Sequence, residues 1–211
     1  MTATETSTAP TDHKRGRVHH RTFFQQFILR PGSIGAVAPS SPALARRMLR
    51  DVDVSKPGVY LEFGPGTGPF TGEILRRLGA SSRFAAIELN PDLAAILRRR
   101  FPSVRIITDS AANVERICRD EGFGEGECVD AVISGLPWAS FPESLQDSIL
   151  SPMKRVLKPG GKFVTFGYHI GTILPAGKRF YRKATSMFGT VERSELVWRN
   201  LPPAIVFTCT K

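Results

Sequence analysis

The stretch Leu61-Glu62-Phe63-Gly64-Pro65-Gly66-Thr67-Gly68-Pro69-Phe70-Thr71 decides the fold of this 211-residue chain. An apolar run over 58–63 enters three alternating glycines, and a proline stands where a helix begins. Glycine lets backbone come close to a ligand and expose its N–H groups at a strand-to-helix turn. A dinucleotide-binding loop needs glycine at position 69, and this chain has Pro69. Outward from the turn, apolar runs at 58–63, 83–88, 104–108, 129–134 and 161–168 read as strands covered on both faces. Helical stretches near 70–79, 91–101, 111–121 and 142–157 lie between them, and Pro159-Gly160-Gly161 breaks the pattern once. Such alternation predicts an α/β fold with a parallel sheet and right-handed crossovers. Thr190–Arg199 and Ala204–Thr210 are β-rich, and they predict an antiparallel pair on one edge.

Upstream, three segments differ in character. Residues 1–18 have almost nothing apolar to bury and read as a disordered basic tail. Residues 19–57 read as N-terminal membrane-binding or lid helices ahead of the main domain, 58–211. In the first of these helices Phe23, Phe24, Phe27 and Ile28 share one face, with Arg21 and Arg30 beside it and Pro31-Gly32 ending it. Ser41-Pro42 then predicts a capped helix over 42–50.

A content of 41% hydrophobic and 23% charged residues fits one globular domain. No run approaches the roughly 18–20 apolar residues of a membrane span. The first twenty residues lack the apolar stretch of a secretory signal, so a cytoplasmic protein is expected. Cys118, Cys128 and Cys209 have neither disulfide nor zinc-site spacing, and no metal is expected. The net charge of +10 is uneven: nine basic against four acidic residues in 1–59, nine against thirteen in 60–150, eleven against two in 151–211. Basic flanks around an acidic middle point to a polyanionic partner, and a phosphate-rich membrane and a nucleic acid both fit.

Open α/β sheets bind ligands at the carboxyl ends of their strands, where the candidate residues gather. The loop Gly64, Pro65, Gly66, Thr67, Gly68, with Glu62 two residues before it, resembles the S-adenosylmethionine loop of class I methyltransferases. Glu88 ends the second strand where a carboxylate can accept both ribose hydroxyls, with Leu89 after it. Asp109, followed by Ser110 and Ala111, ends the third strand where this fold usually meets the adenine amine. The fourth strand ends Ser134-Gly135-Leu136-Pro137-Trp138. That run resembles the Asn/Asp-Pro-Pro-aromatic signature of amino methyltransferases and the Asn-Leu-Pro-aromatic form of ribosomal RNA adenine dimethylases. Serine in place of the amide favours an aliphatic amine over a planar base, and Trp138 would offer its π face to an ammonium.

Taken together, Gly32-Ser33-Ile34-Gly35-Ala36-Val37-Ala38-Pro39-Ser40-Ser41, Ser134-Gly135-Leu136-Pro137, Phe166-Gly167-Tyr168 and Val197-Trp198-Arg199-Asn200-Leu201-Pro202-Pro203-Ala204 resemble bacterial phospholipid N-methyltransferases. These enzymes convert phosphatidylethanolamine stepwise to phosphatidylcholine. The family often has Thr-Tyr-Gly where this chain has Gly167-Tyr168-His169. The resemblance implies a Rossmann-like class I sheet, mostly parallel with an antiparallel C-terminal strand and preceded by amphipathic helices. It also implies S-adenosyl-L-methionine as cofactor, held by Ser40, Ser41, Glu62, the glycine loop, Glu88, Leu89, Asp109–Ala111 and Ser134–Leu136. Tyr168 is the expected catalytic residue, orienting the neutral amine together with carbonyls of Ser134–Leu136. Trp138, Arg182 and Arg199 are expected to bind substrate, and the Arg21–Arg30 helix to hold the chain peripherally on the inner face of the cell membrane. The lipid is the expected partner, with no nucleic acid. The alternatives are an RNA adenine N6-methyltransferase and a non-catalytic membrane module that keeps the cofactor fold.

Overall fold

A computed structural model describes residues 40–211. The expected tail 1–18, the helix bearing Arg21, Phe23, Phe24, Phe27, Ile28 and Arg30, and the loop 32–39 lie outside the described residues. The first described helix is α1 (Pro42–Met48). Ser41 caps it by accepting the Leu44 N–H at 3.1 Å, and Pro42 occupies its first turn, as expected. Leu44, Ala45 and Met48 are buried in the same core as the sheet.

The sheet has seven strands in the order β3-β2-β1-β4-β5-β7-β6. They are β1 (Val59–Phe63), β2 (Arg83–Glu88), β3 (Arg105–Thr108), β4 (Val129–Ser134), β5 (Leu157–Tyr168), β6 (Thr190–Arg193) and β7 (Ala204–Thr210). Strands β1 to β5 pair in parallel, while β7 runs antiparallel to both β5 and β6. The intervening helices are α2 (Pro69–Leu75), α3 (Pro91–Arg100), α4 (Val114–Asp120) and α5 (Glu143–Val156). This is the Rossmann-like, mostly parallel sheet that the resemblance implies. None of the described helices is long and apolar enough to cross a membrane.

Some boundaries differ from expectation, each for a local reason. The expected helix 111–121 is a 3-10 turn, Ala111–Asn113, followed by α4, because Ser110 caps the turn by accepting the Ala112 N–H. Strand β5 begins at Leu157 rather than 161. Leu157 pairs with Val129, and the register then shifts so that Ala131 pairs with Lys162; Gly160 takes a φ of 74° within this bulge. The β-rich run 190–199 keeps only β6, and Val197 returns as an isolated bridge to Ala204. Two helices fill a stretch that the pattern left unassigned, α6 (His169–Ile173) and α7 (Pro175–Met187).

Helix α7 covers the sheet face that carries Phe163 and Phe207. Phe163 is fully buried, edge-on to Trp138 (5.6 Å between centroids) and stacked on Phe188 (5.8 Å). Phe163→Ala should therefore destabilise the protein by about 3–5 kcal/mol. Urea unfolding is expected to show a lower midpoint with an unchanged m-value.

Candidate functional site

The loop between β1 and α2 is built by close approach. Gly135 donates its N–H to the Phe63 carbonyl at 2.8 Å, and a Cβ on Gly135 would lie 2.6 Å from the Gly64 oxygen. The end of β4 is thus pressed against the glycine loop with no room for a side chain between them. Gly66 is different: at φ 58° it has open space where a Cβ would stand. Its N–H donates to Glu88 Oε2 at 3.1 Å, while Asn90 N–H donates to Glu88 Oε1 at 2.9 Å. Glu88 is buried, which raises its pKa against the lowering effect of these backbone donors.

Glu62 lies on the same sheet face as Glu88 and is fully buried. Thr71 Oγ1, on the first turn of α2, donates to Glu62 Oε2 at 2.7 Å. The other oxygen, Oε1, has no hydrogen-bond partner among the described residues. Burial, opposed by the Thr71 bond and reinforced by the charge of Glu88, pushes the Glu62 pKa up to about 8. A buried carboxyl with one bare oxygen is costly unless a donor arrives, and a cation is the donor that compensates it best.

Asp109 follows β3, and its N–H donates to the Glu88 carbonyl at 3.1 Å. Its carboxylate accepts the Ser110 N–H and Asn113 Nδ2, both at 2.7 Å, and pairs with Arg116. Local donors therefore already hold this side chain. Leu89 and Ser110 are half-buried beside it, and Ala111 is buried.

The end of β4 corrects one expectation. Trp138 is only 2% exposed, stacked on Phe180 (5.5 Å, 15°) and edge-on to Phe141 and Phe163. Its π face is covered by the core and does not meet an ammonium. The reason lies in the indole N–H, which needs an acceptor once buried. Ser134 Oγ supplies it at 3.2 Å, and also accepts the Leu136 N–H at 3.3 Å. The Ser134 side chain thus braces this turn rather than reaching into an open site.

Tyr168 ends β5 on the same face as Glu62, through the register Glu62↔Ile133↔Val164 and the alternation Val164, Phe166, Tyr168. Its ring meets Phe166 edge-on (5.5 Å), and Phe166 meets Phe70 edge-on (5.7 Å), next to Thr71. Half-burial raises the Tyr168 pKa, so it stays a neutral phenol at pH 7. Ser40 is half-buried. Ser41 donates its N–H to Asn200 Oδ1 at 2.9 Å, and Asn200 Nδ2 donates to the Pro202 carbonyl at 2.7 Å. Arg182 and Arg199 are exposed.

Glu62, the loop, Glu88, Asp109, Ser134–Leu136 and Tyr168 therefore come together at the carboxyl ends of β1 to β5, while Trp138 does not join them. Sequence reasoning missed Thr71, Phe166 and Asn200. The signal for Asn200 was a lone amide in an otherwise apolar, proline-rich break; it is buried.

Residues 61–161 match the family model of a methyltransferase domain. Over 190 residues the chain is 32% identical to an ornithine lipid N-methyltransferase of Singulisphaera acidiphila, covering 89% of this chain and 93% of that one. Among solved structures, it resembles an O-methyltransferase of Bacillus cereus in complex with S-adenosylhomocysteine (TM-score 0.62, 15% identity, 88% of this chain and 90% of that one). It also resembles a Burkholderia thailandensis 1,6-didemethyltoxoflavin-N1-methyltransferase with bound S-adenosylhomocysteine (TM-score 0.60, 17% identity, 98% and 93%).

The raised Glu62 pKa has a consequence for the free protein. Between about pH 4.5 and 8 the folded state holds a proton that the unfolded chain has lost, so stability falls as pH rises through this window. Glu62→Gln is expected to remove that loss, and urea titrations at several pH values should show the variant gaining on the parent towards pH 8.

Proposed function

This chain belongs to the class I S-adenosylmethionine-dependent methyltransferases, and from that premise we propose that it N-methylates the amine of phosphatidylethanolamine and of its mono- and dimethyl derivatives at a membrane surface. The observation that carries the lipid reading is the 32% identity, across 89% of the chain, to a lipid N-methyltransferase. That relative's own acceptor supports a second reading, in which the amine belongs to an ornithine lipid.

The residues present fit the cofactor. Bound there, S-adenosylmethionine supplies an electrophilic methyl group on its sulfonium. Glu62 Oε1, buried and without a partner among the described residues, would accept the ammonium of the methionine moiety. Glu88, held by the Gly66 N–H, is the acceptor for ribose hydroxyls, and the open space at Gly66 leaves room for the ligand against the backbone. Leu89, Asp109–Ala111 and Ser134–Leu136 line the rest of this reading.

A lipid amine carries a proton at neutral pH, with a pKa near lysine's, about 10. It must lose that proton before its lone pair can attack. Tyr168, neutral and at the strand end, accepts an N–H of the amine through its phenol oxygen and turns the lone pair towards the reacting carbon. The carbonyls of the Ser134–Leu136 turn take the other N–H of the primary amine. The monomethyl amine keeps one N–H for these acceptors and the dimethyl amine none, so the last transfer relies on packing alone to aim the lone pair. Rate then comes mostly from orientation, and water takes up the proton.

Labelled methyl transfer to vesicles of each lipid, with total RNA as a third acceptor, tests the proposal. Label in mono-, di- and trimethylated phosphatidylethanolamine is expected. Label only in ornithine lipid moves the acceptor, and label only in RNA overturns the reading. Tyr168→Phe should lower kcat/KM on phosphatidylethanolamine by up to about tenfold, the worth of one hydrogen bond between neutral groups, with cofactor affinity unchanged.

A further inference from the structure

Among the described residues, the large apolar side chains left exposed are, apart from Ile96 on α3, gathered at one corner. Ile170, Ile173 and Leu174 are 66%, 53% and 52% exposed, and Trp198 and Leu201 are 76% and 78% exposed. The two groups are neighbours: His169 N–H donates to the Pro203 carbonyl at 2.8 Å, and Val197 bridges to Ala204. The loop 198–202 therefore emerges beside the start of α6. Asn200 is buried and fastens that loop to Ser41 and Pro202, so Trp198 and Leu201 on either side of it are held outward by a rigid anchor. Helix α6 turns back on α7 so closely that a Cβ on Gly177 would lie 2.2 Å from the Gly171 oxygen. This sets Leu174 and the first turns of α7 on the same surface.

Positive charge predominates at this corner, where Glu195, three residues before Trp198, is an exposed acid. Between Asp147 and Glu192 the chain has no acidic residue. Lys178 and Arg182 follow Leu174 at successive turns of the outer face of α7, and Arg199 stands in the loop. All three are exposed, and among the described residues none has an acidic partner. By contrast, Lys183 on the same helix pairs with Asp147 at 2.7 Å. Aliphatic and indole side chains surrounded by unpaired cations match a surface that is apolar beneath and anionic on top. A second copy of this chain would bring the same cations face to face and is disfavoured.

We propose that this corner, formed by α6, the first turns of α7 and the loop 198–202, docks on an anionic phospholipid bilayer. Ile170, Ile173, Leu174, Trp198 and Leu201 enter the acyl boundary, and Lys178, Arg182 and Arg199 meet the phosphates. Tyr168 immediately precedes α6, so docking sets the proposed acceptor site at the lipid headgroups. The inference rests on the lipid-methylation reading for its purpose and on this surface for its geometry.

The chain has two tryptophans, and only Trp198 is exposed, so its fluorescence reports directly. With the full chain and vesicles of phosphatidylglycerol and phosphatidylethanolamine, Trp198 emission should shift to the blue. It should be quenched by brominated acyl chains and shielded from iodide, and Trp198→Phe should abolish these changes. The double variant Ile173→Ser, Leu201→Ser should partition about tenfold or more less strongly, the effect of losing two buried aliphatic side chains, while keeping turnover on a dispersed short-chain lipid. Lys178→Glu should weaken binding to anionic vesicles and leave neutral vesicles unaffected. Trp198 still open to iodide on vesicle-bound protein would overturn the proposal, as would Trp198 shielded without vesicles at twice the monomer mass. Insertion of Trp198 without methyl transfer to any lipid amine would support the docking surface and sink the functional reading alone. Transfer to lipid with Trp198 left in water would do the reverse.

Discussion

The contact on which the site depends is the one between the ends of β1 and β4. The Gly135 N–H reaches the Phe63 carbonyl, the Gly64 N–H reaches the Ile87 carbonyl, and no Cβ fits between Gly135 and Gly64. Three strand ends are thereby locked at backbone distance. Everything that follows is placed relative to this lock: the open turn at Gly66, the carboxyl of Glu88 beneath it, and the Ser134 turn that carries the indole of Trp138. A methyl group on Gly135 would push the two loops apart, whereas one on Gly64 would meet the Leu136 side chain and sit at a left-handed φ of 63°.

The same lock explains how a carboxyl is kept in the core. Glu62 sits between apolar neighbours on β1, with one bond to Thr71 and one bare oxygen. A fold does not keep such a group for stability, since an apolar side chain of equal volume would cost less. Its retention beside the open turn at Gly66 is the strongest sign within the structure that a cationic ligand belongs there.

The strands, the glycine loop and the two acidic strand ends were legible because they are local. An apolar run of five or six residues, a φ that only glycine tolerates and a carboxylate at a strand terminus each speak within a few positions. Helix α7 was not legible, because its buried stripe is narrow. Phe180, Ala184 and Phe188 are spaced by four among Lys178, Arg179, Arg182 and Lys183, and the charges dominate the reading. Trp138 was misjudged for a different reason. Its neighbours Phe163 and Phe180 come from β5 and α7, elements far along the chain, and only their packing shows which way the indole faces. Asn200 acts on Ser41 across 159 positions, a distance that no periodicity spans.

The strand order also turns a pattern in the sequence into one in space. Strands β3, β2, β1 and β4 form one half of the sheet and come from the stretch where acidic residues outnumber basic ones by four. Strands β5, β7 and β6 form the other half, from the stretch where basic residues exceed acidic ones by nine. Five ion pairs join the two stretches, Arg155–Glu115, Lys158–Asp130, Arg179–Glu143, Lys183–Asp147 and Lys211–Glu127, so the positive charge without an ion pair among the described residues is left at residues such as Lys178, Arg182, Arg193 and Arg199. In a field that decays over roughly 8–10 Å at physiological salt, a molecule near a negatively charged plane feels a torque before it feels any contact. It turns the side carrying Lys178, Arg182 and Arg199 towards that plane during approach, and part of the orientational search is over before the first side chain touches.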